Sequence, residues 1–229
     1  MTMTISNDSR ARVKKAFEPI ALGLGRLGLT PDALTLIGFA ITIAGAVLVA
    51  GQLWLAGGLV IFLGGVFDMF DGTLARATGR VSNLGAFMDS VFDRAGEVIV
   101  YIGLVVGLQA LGIQNGTVLA ASAMGSAVLV SYTRSKSEGL GFSPGSGMAA
   151  IGIMTREIRL VVLCAGLIVA GLLGTNPDNA SCSNCAGALA FPPGAYVLFL
   201  ALSVITAGSI LTVIQRVLHV RREARRQSR

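Results

Sequence analysis

Residues 67–93 read FDMFDGTLARATGRVSNLGAFMDSVFD, and they decide the fold because they set four carboxylates and two arginines beside segments as apolar as a bilayer interior. The spacing is Asp68-x2-Asp71-Gly72-x2-Ala75-Arg76-x8-Gly85-x3-Asp89-x3-Asp93. On a helix Asp68 and Asp71 form an i,i+3 pair, while Gly85, Asp89 and Asp93 follow at i,i+4 steps along one stripe. With 78–83 as the turn of a helical hairpin, Asp68 comes level with Asp93 and Asp71 nearly level with Asp89. The four acids then meet across one antiparallel helix pair. In a poorly hydrated site they cannot all stay ionised unless a cation joins them. Magnesium prefers carboxylate oxygens together with the phosphate oxygens of a substrate, so the pattern reads as a metal-assisted phosphate site with Asp68, Asp71, Asp89 and Asp93 as its acids. The competing reading pairs these acids with Arg76, Arg80 and Arg94 as ion pairs that lock helices together. Buried ion pairs stabilise poorly compared with apolar packing, and acids inside membrane spans mark function by default.

Outside this stretch the chain reads as an all-α integral membrane protein. Its 229 residues are 53% hydrophobic and only 13% charged, and the mean hydropathy is +0.74. The 30 glycines and 6% aromatic content favour closely packed transmembrane helices over a β-barrel. A net charge of +6 might evoke nucleic acid, but the 18 basic residues sit in the N-terminal segment, around 76–94, between 134 and 159, and from Arg216 onward. The segments near residues 51, 113 and 174–193 have none. Six spans with both termini in the cytoplasm satisfy the positive-inside rule, and no nucleic-acid partner is expected. The first long apolar stretch begins beyond residue 30 without a cleavage pattern, so no cleaved leader is expected.

In chain order, 1–30 is expected to be a cytoplasmic segment with an amphipathic interfacial helix from Arg10 to Leu27. Residues 31–219 are expected to form the six-helix transmembrane domain, and 220–229 a basic cytoplasmic tail. Thr30-Pro31-Asp32 reads as a helix start, and Ser82 or Asn83 caps the third span. Glu97, one i,i+4 step past Asp93, is read as a support that bridges Arg94 or meets a basic residue of another helix. The fourth span is placed at 118–133, and the Gly- and Ser-rich stretch 139–152 reads as a connector, with a phosphate cradle as the other reading. Cys182 and Cys185 lie in an outer loop, either bridged or free. Gly103-x3-Gly107 suits a close helix contact, including one between subunits. His219 is the only histidine, which argues against His-based catalysis.

The spacing in 68–93 resembles the signature of the CDP-alcohol phosphotransferases, and all eight fixed positions match. The resemblance implies transfer of a substituted phosphate from a CDP-linked lipid to an alcohol, with release of CMP and no covalent enzyme intermediate. It implies Asp68, Asp71 and Asp89 as ligands of one or two Mg2+ or Mn2+ ions and Asp93 as general base, a carboxylate whose acidic neighbours favour such a role. Asp71, Gly72, Ala75, Arg76 and Gly85 are implied at the donor nucleotide. It also implies a homodimer.

Arg134, Lys136, Arg156, Arg159 and Arg216 stand at the inner ends of three spans, where several can converge on a dianionic acceptor phosphate. Topology alone also places cations there. Within the family the chain is most similar to the phosphatidylinositol-phosphate synthases and their archaeal ether-lipid counterparts, through Ser131-Tyr132-x-Arg134-x-Lys136-x-Glu138, the Arg156 and Arg159 pair, and Gln215-Arg216. That similarity implies CDP-diacylglycerol or CDP-archaeol as donor and inositol 1-phosphate as acceptor, at the plasma membrane of a prokaryote with the active site facing the cytoplasm. Phosphatidylglycerophosphate synthases, which use glycerol 3-phosphate, resemble the catalytic core equally. They usually have Pro and Lys where Ser90 and Arg94 stand here. An ion or proton transporter would distribute its acids through the membrane depth, whereas these lie toward one side.

Overall fold

The computed structural model describes residues 19–20, 22–142, 151–175 and 192–227, and among them there is no β-strand. A short helical segment, α1, covers 19–20 and 22–26. Six long helices follow: α2 (Pro31–Ala50), α3 (Trp54–Ala77), α4 (Asn83–Ala110), α5 (Gln114–Gly139), α6 (Arg156–Leu173) and α7 (Pro193–Gln227). The rest of the expected amphipathic helix, most of the Gly- and Ser-rich stretch, and Cys182 and Cys185 lie outside the described residues.

Local chemistry explains the helix ends. Thr30 Oγ1 accepts the Ala33 amide at 3.2 Å, and Ser82 Oγ accepts the Gly85 amide at 2.9 Å, so each caps the helix that follows. After Ala77 the chain closes α3 in a Schellman motif. The Arg80 amide donates to Ala75 O at 2.9 Å, the Gly79 amide donates to Arg76 O at 3.4 Å, and Gly79 takes φ +67°. That turn is the expected hairpin between the two halves of the acidic signature.

Four helical stretches are long and apolar enough to cross a membrane: Pro31–Ala50, Trp54–Ala77, Asn115–Gly139 and Pro193–Gln227. The other two long helices carry charge, namely Asp89, Asp93, Arg94 and Glu97 in α4 and Arg156, Glu157 and Arg159 in α6. α5 continues beyond the expected end at 133 through the Ser131–Glu138 motif. α7 runs straight through the basic tail, because nothing between 219 and 227 breaks a helix.

Contacts divide the chain into two compact units, Met1–Ile43 with Leu63–Gly96, and Ala44–Phe62 with Glu97–Arg229. In the first, Leu34, Phe70 and Leu74 form the core. α2 and α3 approach closely there, since a Cβ on Gly64 would stand 2.5 Å from Thr42 Oγ1. In the second, α7 packs on α5 and α6 around Leu163, Leu167, Leu198, Leu202 and Ile205. Gly103 and Gly107 belong to this core. A Cβ on either would stand 2.5 Å from a carbonyl oxygen, of Ala46 and of Val49 respectively. Their small size thus serves packing inside one chain, in place of the subunit contact that the sequence allowed.

Candidate active site

In the first unit the acids gather around Asp71. It is 5% exposed toward the C-terminal end of α3, and Asp68 and Asp89 lie close enough to act on it electrostatically. Thr35 on α2 donates from Oγ1 to Asp71 Oδ2 at 2.5 Å, and the Gly72 amide donates to Oδ1. The chain thus brings two further carboxylates within electrostatic reach of Asp71 and fixes Asp71 from both oxygens. Asp93 is half-buried, one turn beyond Asp89 on α4. Among the described residues, no three such side chains already converge as a closed metal cage. Both Asp71 oxygens instead accept from neighbouring donors, Thr35 and Gly72. The donor set itself, all carboxylate oxygen, fits Mg2+ or Mn2+.

Small residues border these acids. A Cβ on Gly38 would stand 2.7 Å from Asp68 Oδ1, and one on Gly72 would stand 3.4 Å from Arg76 Nη1. Arg76 is exposed at the last turn of α3 and reaches Thr73 Oγ1 at 3.5 Å. Ala75 is half-buried between them in sequence, and Gly85 is half-buried in the first turn of α4. Sequence reasoning missed Thr35 and Gly38. Neither belongs to the signature, and a threonine or glycine inside an apolar span carries no pattern that marks it.

The second unit holds the cations. Arg134 and Lys136 are exposed on the last turns of α5, where Arg134 Nε meets Glu138 Oε1 at 3.1 Å. Arg156 is half-buried as the first residue of α6. Arg159 is 1% exposed and makes a fork-to-fork pair with Glu97, Nε to Oε1 at 2.7 Å and Nη2 to Oε2 at 2.8 Å. Its Nη1 donates to Met154 O at 3.1 Å. Glu97 thus meets a basic residue of another helix, one of its two expected roles, while Arg94 turns to the Ser90 carbonyl. Arg216 is 3% exposed and donates from Nε to Ile151 O at 3.0 Å and from Nη1 to Val130 O.

Arg134 and Arg159 are both near enough to Arg216 to act on it electrostatically. Three guanidiniums from three helices therefore share one region. A guanidinium has five N–H donors, of which, among the described residues, Arg159 commits three and Arg216 two to protein acceptors. Glu97 and Glu138 offset part of the charge at Arg159 and Arg134, and Arg216 beside them favours an anion in the same region.

Comparison with known proteins identifies the family. A family model described as CDP-alcohol phosphatidyltransferase matches 28–220. The chain is 35% identical over 222 residues to a phosphatidylinositol phosphate synthase of Streptomyces avermitilis, covering 94% of this chain and 82% of that one. It is 37% identical over 154 residues to an archaetidylinositol phosphate synthase of Pyrococcus horikoshii, covering 67% of this chain and 77% of that one. Among solved structures, it matches the Mycobacterium tuberculosis phosphatidylinositol phosphate synthase with CDP-DAG bound, at TM-score 0.73 and 27% identity, covering 90% of this chain and 94% of that one. The same enzyme in complex with manganese and citrate matches at TM-score 0.72 and 28% identity, covering 89% and 88% of the two chains. Since the matched span takes in the whole acidic signature and every cation from Arg134 to Arg216, the chain belongs to the CDP-alcohol phosphatidyltransferase family.

Proposed function

We propose that this protein is a phosphatidylinositol-phosphate synthase, which transfers the lipid-bearing phosphate of CDP-diacylglycerol or CDP-archaeol to a hydroxyl of inositol 1-phosphate and releases CMP. The observation that carries the acceptor is the convergence of Arg134, Arg159 and Arg216 from α5, α6 and α7. A neutral acceptor gives no reason to gather three arginines, whereas a phosphate dianion does. Lys136 and Arg156 complete the acceptor-binding set.

In this mechanism the Asp93 carboxylate takes the proton of the acceptor hydroxyl while that oxygen forms a new bond to the transferred phosphorus. The bond between that phosphorus and the CMP oxygen breaks, and CMP leaves with the electron pair. Asp68, Asp71 and Asp89, together with Asp93, would hold one or two Mg2+ or Mn2+ ions. When bound, these offset charge on the pyrophosphate and on departing CMP. Gly72, Ala75 and Gly85 leave room for the nucleotide beside α3 and α4, and Arg76 together with Asp71 orients it. Six spans, cytoplasmic termini, an inner-facing site in a prokaryotic plasma membrane and a homodimer complete the reading.

A panel of acceptors tests it. Purified protein supplied with CDP-diacylglycerol or CDP-archaeol and a divalent metal should form product with inositol 1-phosphate and not with free inositol or serine. Product with glycerol 3-phosphate alone would move the protein to the phosphatidylglycerophosphate synthases. Product only with uncharged acceptors would remove the phosphate site.

Two further outcomes follow from placement. Thr35→Val should raise the metal concentration needed for half-maximal turnover by roughly tenfold, because an outer partner that orients a ligand carboxylate is lost. An unchanged metal requirement would show that Thr35 does not orient Asp71 for the ion. Arg80 is exposed at the hairpin turn, so with the native cysteines replaced, Arg80→Cys should react with impermeant thiol reagents from the cytoplasmic side alone. Labelling from outside would invert the topology.

A further inference from the structure

Between the Gly- and Ser-rich stretch and α6 runs a non-helical strap, Ile151 to Thr155, whose backbone is tied down at three points. The Met154 amide donates to Thr212 Oγ1 at 2.9 Å, and Thr212 Oγ1 in turn donates to Gly208 O at 2.8 Å. The Met154 carbonyl accepts from Arg159 Nη1, and the Ile151 carbonyl accepts from Arg216 Nε. Side chains tighten the same junction. Gly152 takes φ +113°, and a Cβ there would collide with Thr212 Cγ2, while a Cβ on Gly208 would collide with Met154 Cε. Thr212 is fully buried and Met154 is 6% exposed. Water therefore cannot easily replace the bond between them.

We infer that Thr212 is a positioning residue for acceptor binding: through Met154 it fixes the strap, and the strap sets where the first turn of α6, with Arg156 and Arg159, stands relative to Arg216. Thr212 and Arg216 are one turn apart on α7, so one face of that helix supplies both the anchor for the strap and a cation of the site. Without the hydroxyl, the Met154 amide is left buried without that acceptor, and the strap is held to α7 only through Ile151 and Arg216 among the described bonds. The inference rests on the assignment of these cations to the acceptor phosphate. We take the phosphate grip, remote from the reacting hydroxyl, to hold ground state and transition state equally. Its loss therefore appears in KM and not in kcat.

The experiment uses full-length Thr212→Val and Thr212→Ser, assayed with whichever of inositol 1-phosphate and glycerol 3-phosphate the wild type uses. Hydrogen exchange is followed in the peptide containing Met154. Thr212→Val is expected to raise the acceptor KM roughly tenfold, as loss of one partner of a buried hydrogen bond does. The donor KM and kcat should stay near wild type, and the Met154 amide should exchange faster. Thr212→Ser, which keeps the hydroxyl, is expected to restore both the acceptor KM and the protection. A wild-type acceptor KM in Thr212→Val would overturn the inference, as would a parallel loss of donor and acceptor parameters, which a merely structural role produces. If the wild type turns over neither acceptor, the functional reading fails and the acceptor role of Thr212 falls with it. Unchanged protection of Met154 in Thr212→Val would overturn the strap itself.

Discussion

Asp93→Asn is expected to lower the transfer rate by roughly 10²–10⁴-fold, the contribution of a positioned general base, while binding of the CDP-linked donor and of metal stays close to wild type. The substitution keeps the shape of the side chain and removes its ability to accept a proton as a carboxylate. Asp71 stands in contrast. It is buried, it receives bonds from Thr35 and Gly72, and it feels both Asp68 and Asp89. Loss of charge at Asp68 or Asp89 should therefore weaken metal-dependent donor binding as well as turnover, because the remaining acids no longer balance a divalent ion. The decisive comparison is donor binding measured at fixed metal for Asp93→Asn and for Asp89→Asn. Full turnover by Asp93→Asn would remove it from the role of base. Equal loss of donor binding in both variants would make Asp93 a ligand first.

Much of this site was legible in the sequence, for physical reasons that differ from residue to residue. The hairpin could be read because Gly79 and Ser82 carry the chemistry of a helix stop and a helix start, and such signals act over a few residues. The proximity of Asp68 and Asp89 to Asp71 was expected from the helical period combined with that hairpin. Partnerships between helices distant in sequence were not legible in the same way. Glu97 could be assigned a supporting role, but its partner Arg159 is 62 residues away and comes from the packing of α6. The bond from Thr35 to Asp71 spans 36 residues and leaves no periodic trace. α7 runs to Gln227, past residue 219 where the apolar stretch and the expected sixth span end. Arginine propagates a helix well, so a helix can leave the apolar zone without breaking. Gly103 and Gly107 show the converse limit: a small-residue pattern reports a close approach without saying which surface makes it.

Glu97→Leu is expected to destabilise the protein by about 3–5 kcal/mol, the cost of leaving one member of a buried ion pair without its partner. Arg159 is 1% exposed and Glu97 16%, so water cannot easily take the place of the carboxylate. A domain is stable by only about 5–15 kcal/mol, so this variant should unfold at a clearly lower temperature. Arg159→Met should cost less, because Glu97 retains some access to solvent. The double variant Glu97→Leu with Arg159→Met should recover most of the stability, since apolar groups of similar volume replace a buried pair at little cost. Recovery of folding should not bring recovery of function. With Arg159 absent, the acceptor phosphate loses part of its grip, and the acceptor KM should stay high while donor affinity is near wild type. Thermal unfolding and acceptor kinetics on the two single variants and the double separate the two roles of this arginine. A double variant as unstable as Glu97→Leu would show that the pair is not what holds α6 in place. A double variant with a wild-type acceptor KM would show that Arg159 serves the fold alone, and would leave Arg134, Lys136, Arg156 and Arg216 as the cations for the phosphate.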